Sequence, residues 1–262
     1  MGGYPGVSSA YNAGYFEAAL AGEEFRTYGI EAYLWLINNC MSCPYGTWEG
    51  ISGATSNSLW NRTCSGGGGG SSQHMWGQSM NTKVLLDSFL AEKADGTVII
   101  GRGLPVSFNA DGETVTISNW LADNGKRIGF TMTTTGKEVT VTLTGDDLAY
   151  TASLELPALV GNIASVSGDL SFDNATGTIL LPAGTKSVTI TMQNRIVPES
   201  ETLQILDGIT GEKLGALTAE DLENQDMTKL AEKLGCLTRN VVGTEYVFAG
   251  WFTEPQVSAF SD

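Results

Sequence analysis

The sequence predicts an α+β protein in which N-terminal helices pack on an antiparallel β-sandwich and a small mixed α/β tail follows. Three observations carry that prediction. Residues 7–39 and 73–94 place apolar side chains at helical spacing between capping and breaking residues. From Thr97 to about residue 192, short β-branched runs alternate with polar residues and are separated by turn signals every 8 to 12 residues or so. A hydrophobic content of 42% over 262 residues is ample for packed cores, so the chain is not a disordered one. The expected domains are 1–96 (helices), 97–193 (sandwich) and 194–262 (tail).

In the first helix, residues 7–22, Ser8 and Ser9 offer N-caps, Tyr11, Tyr15, Ala18 and Ala19 follow one face, and Gly22 ends the run. The second runs from about Glu23 to Asn39, with Phe25, Tyr28, Tyr33, Leu36 and Ile37 as its apolar positions and Pro44 just past its end. The two form an αα-hairpin. Residues 40–72 are expected to be a long loop, because Gly66 to Gly70 are five consecutive glycines and a strand or helix interior disfavours them. Ser71 and Ser72 are expected to cap a third helix, whose Trp76, Met80, Val84 and Leu85 share a side and which Asp95-Gly96 stops. On it Asp87 is spaced to pair with Lys83, while Gln78 and Asn81 can reach a polar cleft.

The sandwich is read from ETVTISNW, RIGFTMTTT, KEVTVTLTG, TASLELP and KSVTITM, with Asp111-Gly112, Asn124-Gly125 and Thr135-Gly136 marking turns. Trp120, Asp123 and Asn124 fall at one such turn, where a sugar contact or an interdomain contact are the two readings. In the tail, LQILDG and KLGAL read as strands and AEDLENQDMTKLAEKLG as a helix. About three helices cannot bury themselves, so they pack on the sandwich, on another chain or on further sequence, and self-association through exposed helix faces is expected.

Charge narrows the partners. Lys and Arg total 14 against 29 Asp and Glu, a net charge of −15, which argues against nucleic acid. Neutral polar ligands fit better, carbohydrate among them, since 6 Trp, 8 Tyr and 9 Phe supply flat apolar faces. No apolar run approaches the roughly 18 residues of a membrane span. The opening residues lack a basic segment followed by an apolar core, so no signal peptide is visible, which leaves a cytoplasmic protein or a piece of a longer secreted one.

Cys40, Cys43, Cys64 and the single histidine, His74, form a Cys₃His set of donors. The second half lacks a compact ligand pair, so a disulfide joining Cys64 to Cys40 or Cys43, or free thiols, is preferred over structural zinc, and no cofactor is expected. No nucleophile elbow or phosphate-binding loop is present. His74 opens a helix beside Trp76, where capping or packing competes with a contact to a sugar hydroxyl.

Residues 1–193 resemble, in order and character, the C-terminal end of the six-hairpin (α/α)6 glycosidases, whose last barrel helices run directly into a β-sandwich. The resemblance is carried by AYNAGYFEAAL, YGIEAYLWLINN, GTWEG, HMWGQSMNTKVLLDSFLAE and DGTVIIGRGLP. It implies a bacterial extracellular or cell-surface glycoside hydrolase acting on oligo- or polysaccharide. In such enzymes the base follows the penultimate helix, which points to Glu49 as general base. Trp48 or Trp60 then offers a face to the sugar ring, and His74 and Gln78 contact substrate. The chain supplies about three of the helices such a barrel needs, and no counterpart of the general acid is recognisable. The competing readings are a non-catalytic carbohydrate-binding or structural module, and a small independent hydrolase with a re-used site. At the C-terminus, Tyr246, Phe248, Gly250 and Trp251 resemble the core of the Listeria-Bacteroides type repeat of surface proteins.

Overall fold

Period-two sequence becomes two facing sheets. The computed structural model describes residues 6–39, 41–43, 46–52, 68–145, 148–206, 213–219, 221, 238–241 and 244–247. The chain divides into two compact units, Met1–Ile196 and Val197–Asp262.

Unit 1 opens with strand β1 (Gly6–Ser8) and helix α1 (Ser9–Ala21). Ser8 caps the helix, its Oγ accepting from Tyr11 N–H while Asn12 Oδ1 accepts from Ser8 N–H, a reciprocal closure of orphan donors. A 3-10 turn at Glu23–Phe25 leads into α2 (Arg26–Asn39). The segment expected to be loop instead contains strands: β2 (Met41–Cys43), β3 (Gly46–Ser52) and β4 (Gly68–Ser72). Gly68 to Gly70 therefore lie in a strand, and β3 is what holds them there, pairing antiparallel with β1, β2 and β4. The backbone ladder, not side-chain propensity, defines that sheet.

Helix α3 (Met75–Phe89) starts later than predicted and is capped by His74 rather than by the serines, which belong to β4. It also ends earlier. Leu90 and Ala91 leave the helix to form β5 (Leu90–Glu92), buried beside β6 (Val98–Ile100), and Asp95-Gly96 is the turn between these two strands.

The remaining strands of unit 1 are β7 (Thr114–Leu121), β8 (Arg127–Thr135), β9 (Glu138–Gly145), β10 (Ala152–Glu155), β11 (Ile163–Val166), β12 (Phe172–Asp173), β13 (Thr178–Leu181) and β14 (Ser187–Met192). One sheet runs β12-β13-β10-β6-β5 and the other β11-β14-β9-β8-β7. All pairings are antiparallel except β10 with β6, so the sandwich departs from the expected purely antiparallel form at that one pair.

Alternation sets each strand's faces. Val139, Val141 and Leu143 of β9 and Val188, Ile190 and Met192 of β14 point inward to a core shared with Val98, Ile100, Leu154, Leu156 and Phe130. The polar alternates form cross-strand pairs on the outer face: Thr116 with Thr131 at 3.2 Å, and Thr140 with Thr189 at 3.3 Å. A bulge in β7 between Ile117 and Trp120, with Asn119 at φ 60°, turns Trp120 against the core, so its ring is packed rather than offered at the hairpin tip. The tip is a turn with Gly125 at φ 80° and Asn124 Oδ1 accepting from Lys126 N–H.

The helices have a second core: Ala13, Phe16, Leu20, Ile30, Tyr33, Leu36 and Val84, with Met80 and Trp48 against it. Gly29 lets α2 approach α1, since a Cβ there would lie 2.7 Å from Ala19 Cβ. The buried faces differ in part from those predicted: Tyr33, Leu36 and Val84 are buried as expected, the others less so. Tyr11, Tyr15, Phe25, Tyr28 and Trp76 are exposed, while Ser9, Ala10 and Ala13 of α1 and Gly77, Asn81 and Ser88 of α3 are buried.

Two polar fastenings join the helical layer to the sandwich. Arg26, at the head of α2, donates from Nη2 to Glu155 Oε2 of β10 at 2.8 Å and from Nε to the Leu20 carbonyl at 3.0 Å, with Ser153 Oγ donating to Glu155 Oε1 at 2.9 Å. The other is at Arg102, just after β6, with Gly101 and Gly103 N–H groups donating to the Phe89 and Ser88 carbonyls at the end of α3.

Among its described residues, unit 2 has two antiparallel strand pairs. Strands β15 (Leu203–Leu206) and β16 (Lys213–Leu217) correspond to the predicted LQILDG and KLGAL, and β17 (Thr238–Val241) pairs with β18 (Thr244–Val247). Tyr246 lies in β18; Phe248, Gly250 and Trp251, and most of the predicted tail helix, lie outside the described residues.

Candidate functional site

Strand β3 and the start of α3 are built as one piece. The Thr47 carbonyl accepts from His74 N–H at 2.9 Å, Trp48 lies opposite Ser72 of β4, and Ser9 Oγ of α1 donates to the Trp48 carbonyl at 2.7 Å. The junction has no spare room. A Cβ on Gly77 would sit 2.2 Å from Ser9 Oγ and 2.8 Å from Thr47 Oγ1, so glycine is what allows α1, β3 and α3 to meet. The turn from β4 into α3 places Gln73 at φ 55°, in the left-handed region.

That backbone pairing brings together the two segments that carry three of the sequence-predicted residues. Glu49 is exposed on β3, His74 is half-buried at the N-cap of α3, and Gln78 is half-buried in that helix's first turn. His74 Nδ1 accepts from Gly77 N–H at 3.2 Å, so the neutral imidazole that caps the helix carries its proton on Nε2. The capping role weighed for His74 is therefore present.

Trp48 is placed differently from a sugar platform. Its half-buried ring packs against the cluster of Ala13, Phe16 and Leu36 and is used by the protein's own core. Exposed aromatics are supplied instead by a pair the sequence did not single out. Tyr11 of α1 and Trp76 of α3 meet edge to face, 4.9 Å between centroids at 75°, and remain 63% and 49% exposed. The His74 ring is 6.1 Å from Trp76. The signal for the pair was only that Trp76 follows a cap in sequence; nothing local pointed to Tyr11.

Trp60, Cys40 and Cys64 lie outside the described residues, as does the side chain of Cys43, whose backbone is in β2. Among the described residues no group of three or more His, Cys, Asp or Glu side chains is arranged to hold a metal. His74 Nδ1 is already committed to the cap, so ligation through it would cost a helix-end hydrogen bond. No described helix is long and apolar enough to cross a membrane.

A second polar cluster lies where α1, α3 and the turn after β6 meet. Arg102 Nη2 donates to Glu17 Oε1 at 3.0 Å and lies 3.5 Å from Asp87 Oδ2. Lys83 Nζ pairs with the same two oxygens, at 3.4 Å from Glu17 Oε1 and in closer contact with Asp87 Oδ2, as the spacing of Lys83 and Asp87 predicted. Burial pushes the Glu17 carboxyl up to about 7, with a hydrogen bond and like charge from Asp87 acting in the same direction and Lys83 and Arg102 acting against it.

Compared with protein-family models, with curated proteins and with solved structures, the chain finds no match.

Proposed function

We propose that this chain is the carbohydrate-recognising end of a six-hairpin glycosidase of the bacterial surface or exterior: the last (α/α)6 helices with their β-sandwich, acting on oligo- or polysaccharide with Glu49 as general base. The observation that carries the reading is the union of β3 with the start of α3. It pairs the strand that carries Glu49 with the segment that carries His74 and Gln78, and the exposed Tyr11–Trp76 pair lies beside His74. Aromatic faces bind the C–H side of a pyranose while polar groups at the rim take its hydroxyls. The outer face of α1 and α2 adds support. Tyr15, Phe25 and Tyr28 border an apolar groove floored by Gly29 and Ala32, a surface suited to further barrel helices.

Inverting hydrolysis needs two carboxyl groups roughly 6.5 to 9.5 Å apart and retaining hydrolysis about 5 to 5.5 Å. Glu17 and Asp87, within hydrogen-bond reach of one another and held by two cations, fit neither spacing as a catalytic pair. That observation favours, as a second reading, sugar binding without hydrolysis.

One experiment addresses both. The wild-type chain, Glu49→Gln and Trp76→Ala are assayed for binding and for hydrolysis on a panel of neutral oligosaccharides. Binding that weakens about tenfold in Trp76→Ala, or about 1.4 kcal/mol, supports the recognition end. Turnover abolished by Glu49→Gln with binding retained supports the base. Binding with no turnover in any form leaves the second reading. Binding unaffected by Trp76→Ala overturns the assignment of the site.

A further inference from the structure

We propose that Glu17 and Asp87 form a proton-sensitive clasp that fastens α1 to α3 and to the Arg102 turn. Two carboxyl groups share one guanidinium nitrogen and one ammonium, so neither has a cation to itself. The side chains of Arg102 and Asp87 are 9% and 14% exposed, which removes the water that would otherwise absorb the mismatch. Among the described residues no donor reaches the buried Glu17 Oε2. A carboxylate oxygen that is desolvated, without a donor and next to a second carboxylate is a place where a proton serves as the missing hydrogen-bond donor.

The charged groups of the neighbouring elements are accounted for. Helix α3 contributes Lys83 and Asp87, and the turn after β6 contributes Arg102. On α2, Arg26 is engaged by Glu155, Glu31 is exposed, and the Tyr33 hydroxyl donates to the Asn81 carbonyl. Glu49, on β3, is exposed, and Glu92 of β5 accepts from Asp123 N–H. The clasp is thus a four-group unit with one proton to gain or lose.

The sign follows from where that proton is held more tightly. Folding raises Glu17 from 4.5 to about 7, so its contribution to stability is fully present below pH 4.5 or so and is lost as pH rises through about 7. The helical layer is therefore held more firmly in mild acid than in mild base.

The test is a carboxyl-carbon NMR titration of the full chain, with thermal unfolding from pH 4 to pH 8 in wild type, Glu17→Gln and Asp87→Asn. The expected midpoint for Glu17 is about 7 in wild type, moving toward the ordinary 4.5 in Asp87→Asn. The fall in Tm across that window is expected in wild type and lost in Glu17→Gln. A Glu17 midpoint in the ordinary carboxylate range overturns the clasp, as does an equal fall of Tm in wild type and Glu17→Gln. Should Glu17→Gln fail to fold, the wild-type and Asp87→Asn titrations decide alone.

Discussion

Arg26 and Arg102 perform the same task with different arithmetic. Each is a buried guanidinium that ties the helices to the sandwich. Arg26 faces one carboxylate, Glu155, which is further satisfied by Ser153 Oγ, and its own Nε is taken by the Leu20 carbonyl. Arg102 faces two carboxylates and shares them with Lys83, and its Nε has no hydrogen-bond partner among the described residues. A carboxylate facing one buried guanidinium has no cheap way to lose that partner. A two-to-two cluster can adjust by taking up or releasing a proton, and so its strength follows pH.

The largest effect that sharpens this contrast is expected from Arg26→Ala. It leaves Glu155 buried with Lys93 Nζ 3.9 Å away as its nearest cation, on a side chain half exposed to solvent. Breaking a buried pair by removing one partner costs roughly 3 to 5 kcal/mol, which chemical denaturation of the variant would measure. The double variant Arg26→Met with Glu155→Leu removes both charges together and is expected to recover most of that loss. A loss under about 1 kcal/mol in the single variant would mean that the pair is not desolvated.

Arg102→Ala is expected to cost less, about 1 to 3 kcal/mol, the range for a buried group left unsatisfied. Here the two carboxyls can respond by holding a proton. The loss is therefore expected to be smaller at pH 5 than at pH 8. Denaturant midpoints at the two pH values decide the matter, and an equal loss at both would show that the cluster does not respond through a proton.

The same contrast explains what the sequence made visible. Sandwich strands such as β9 and β14 were legible because their buried positions are Val, Ile, Leu and Met at strict period two, with glycine turns between. The helices were legible as helices but not in their rotation. Tyr33, Leu36 and Val84 are buried as their spacing implied, but much of the remaining buried face is Ser9, Ala10, Ala13, Gly77, Asn81 and Ser88, whose apolar signal is weak, while the conspicuous Tyr11, Tyr15, Phe25, Tyr28 and Trp76 face outward. Strand β3 was hidden because two of its three partners, β1 and β4, are remote in sequence and β4 is largely glycine, while the neighbouring β2 is only three residues long. Of the clasp, only the Lys83–Asp87 spacing could be seen; Glu17 and Arg102 arrive from other elements. Of the site, Glu49, His74 and Gln78 were named from sequence, but Trp76's partner Tyr11 required the α1–α3 crossing.

The smallest effect is expected at Lys83, and it is the one that separates charge from burial within the clasp. Its side chain is 54% exposed, so water already solvates most of the ammonium. Exposed pairs contribute about 0 to 1 kcal/mol, and a lysine placed four residues before its acid has the less favourable order along the helix dipole. Lys83 also acts to lower the Glu17 carboxyl, so its removal lets the proton remain to higher pH. Lys83→Ala should therefore leave stability at pH 5 unchanged and shift the Glu17 titration midpoint upward. Any loss should appear toward pH 8 and shrink in high salt, as screening removes what the exposed ammonium contributed. If Lys83→Ala instead costs as much as Arg102→Ala at both pH values, the exposed cation would be carrying the cluster and the buried guanidinium would be secondary.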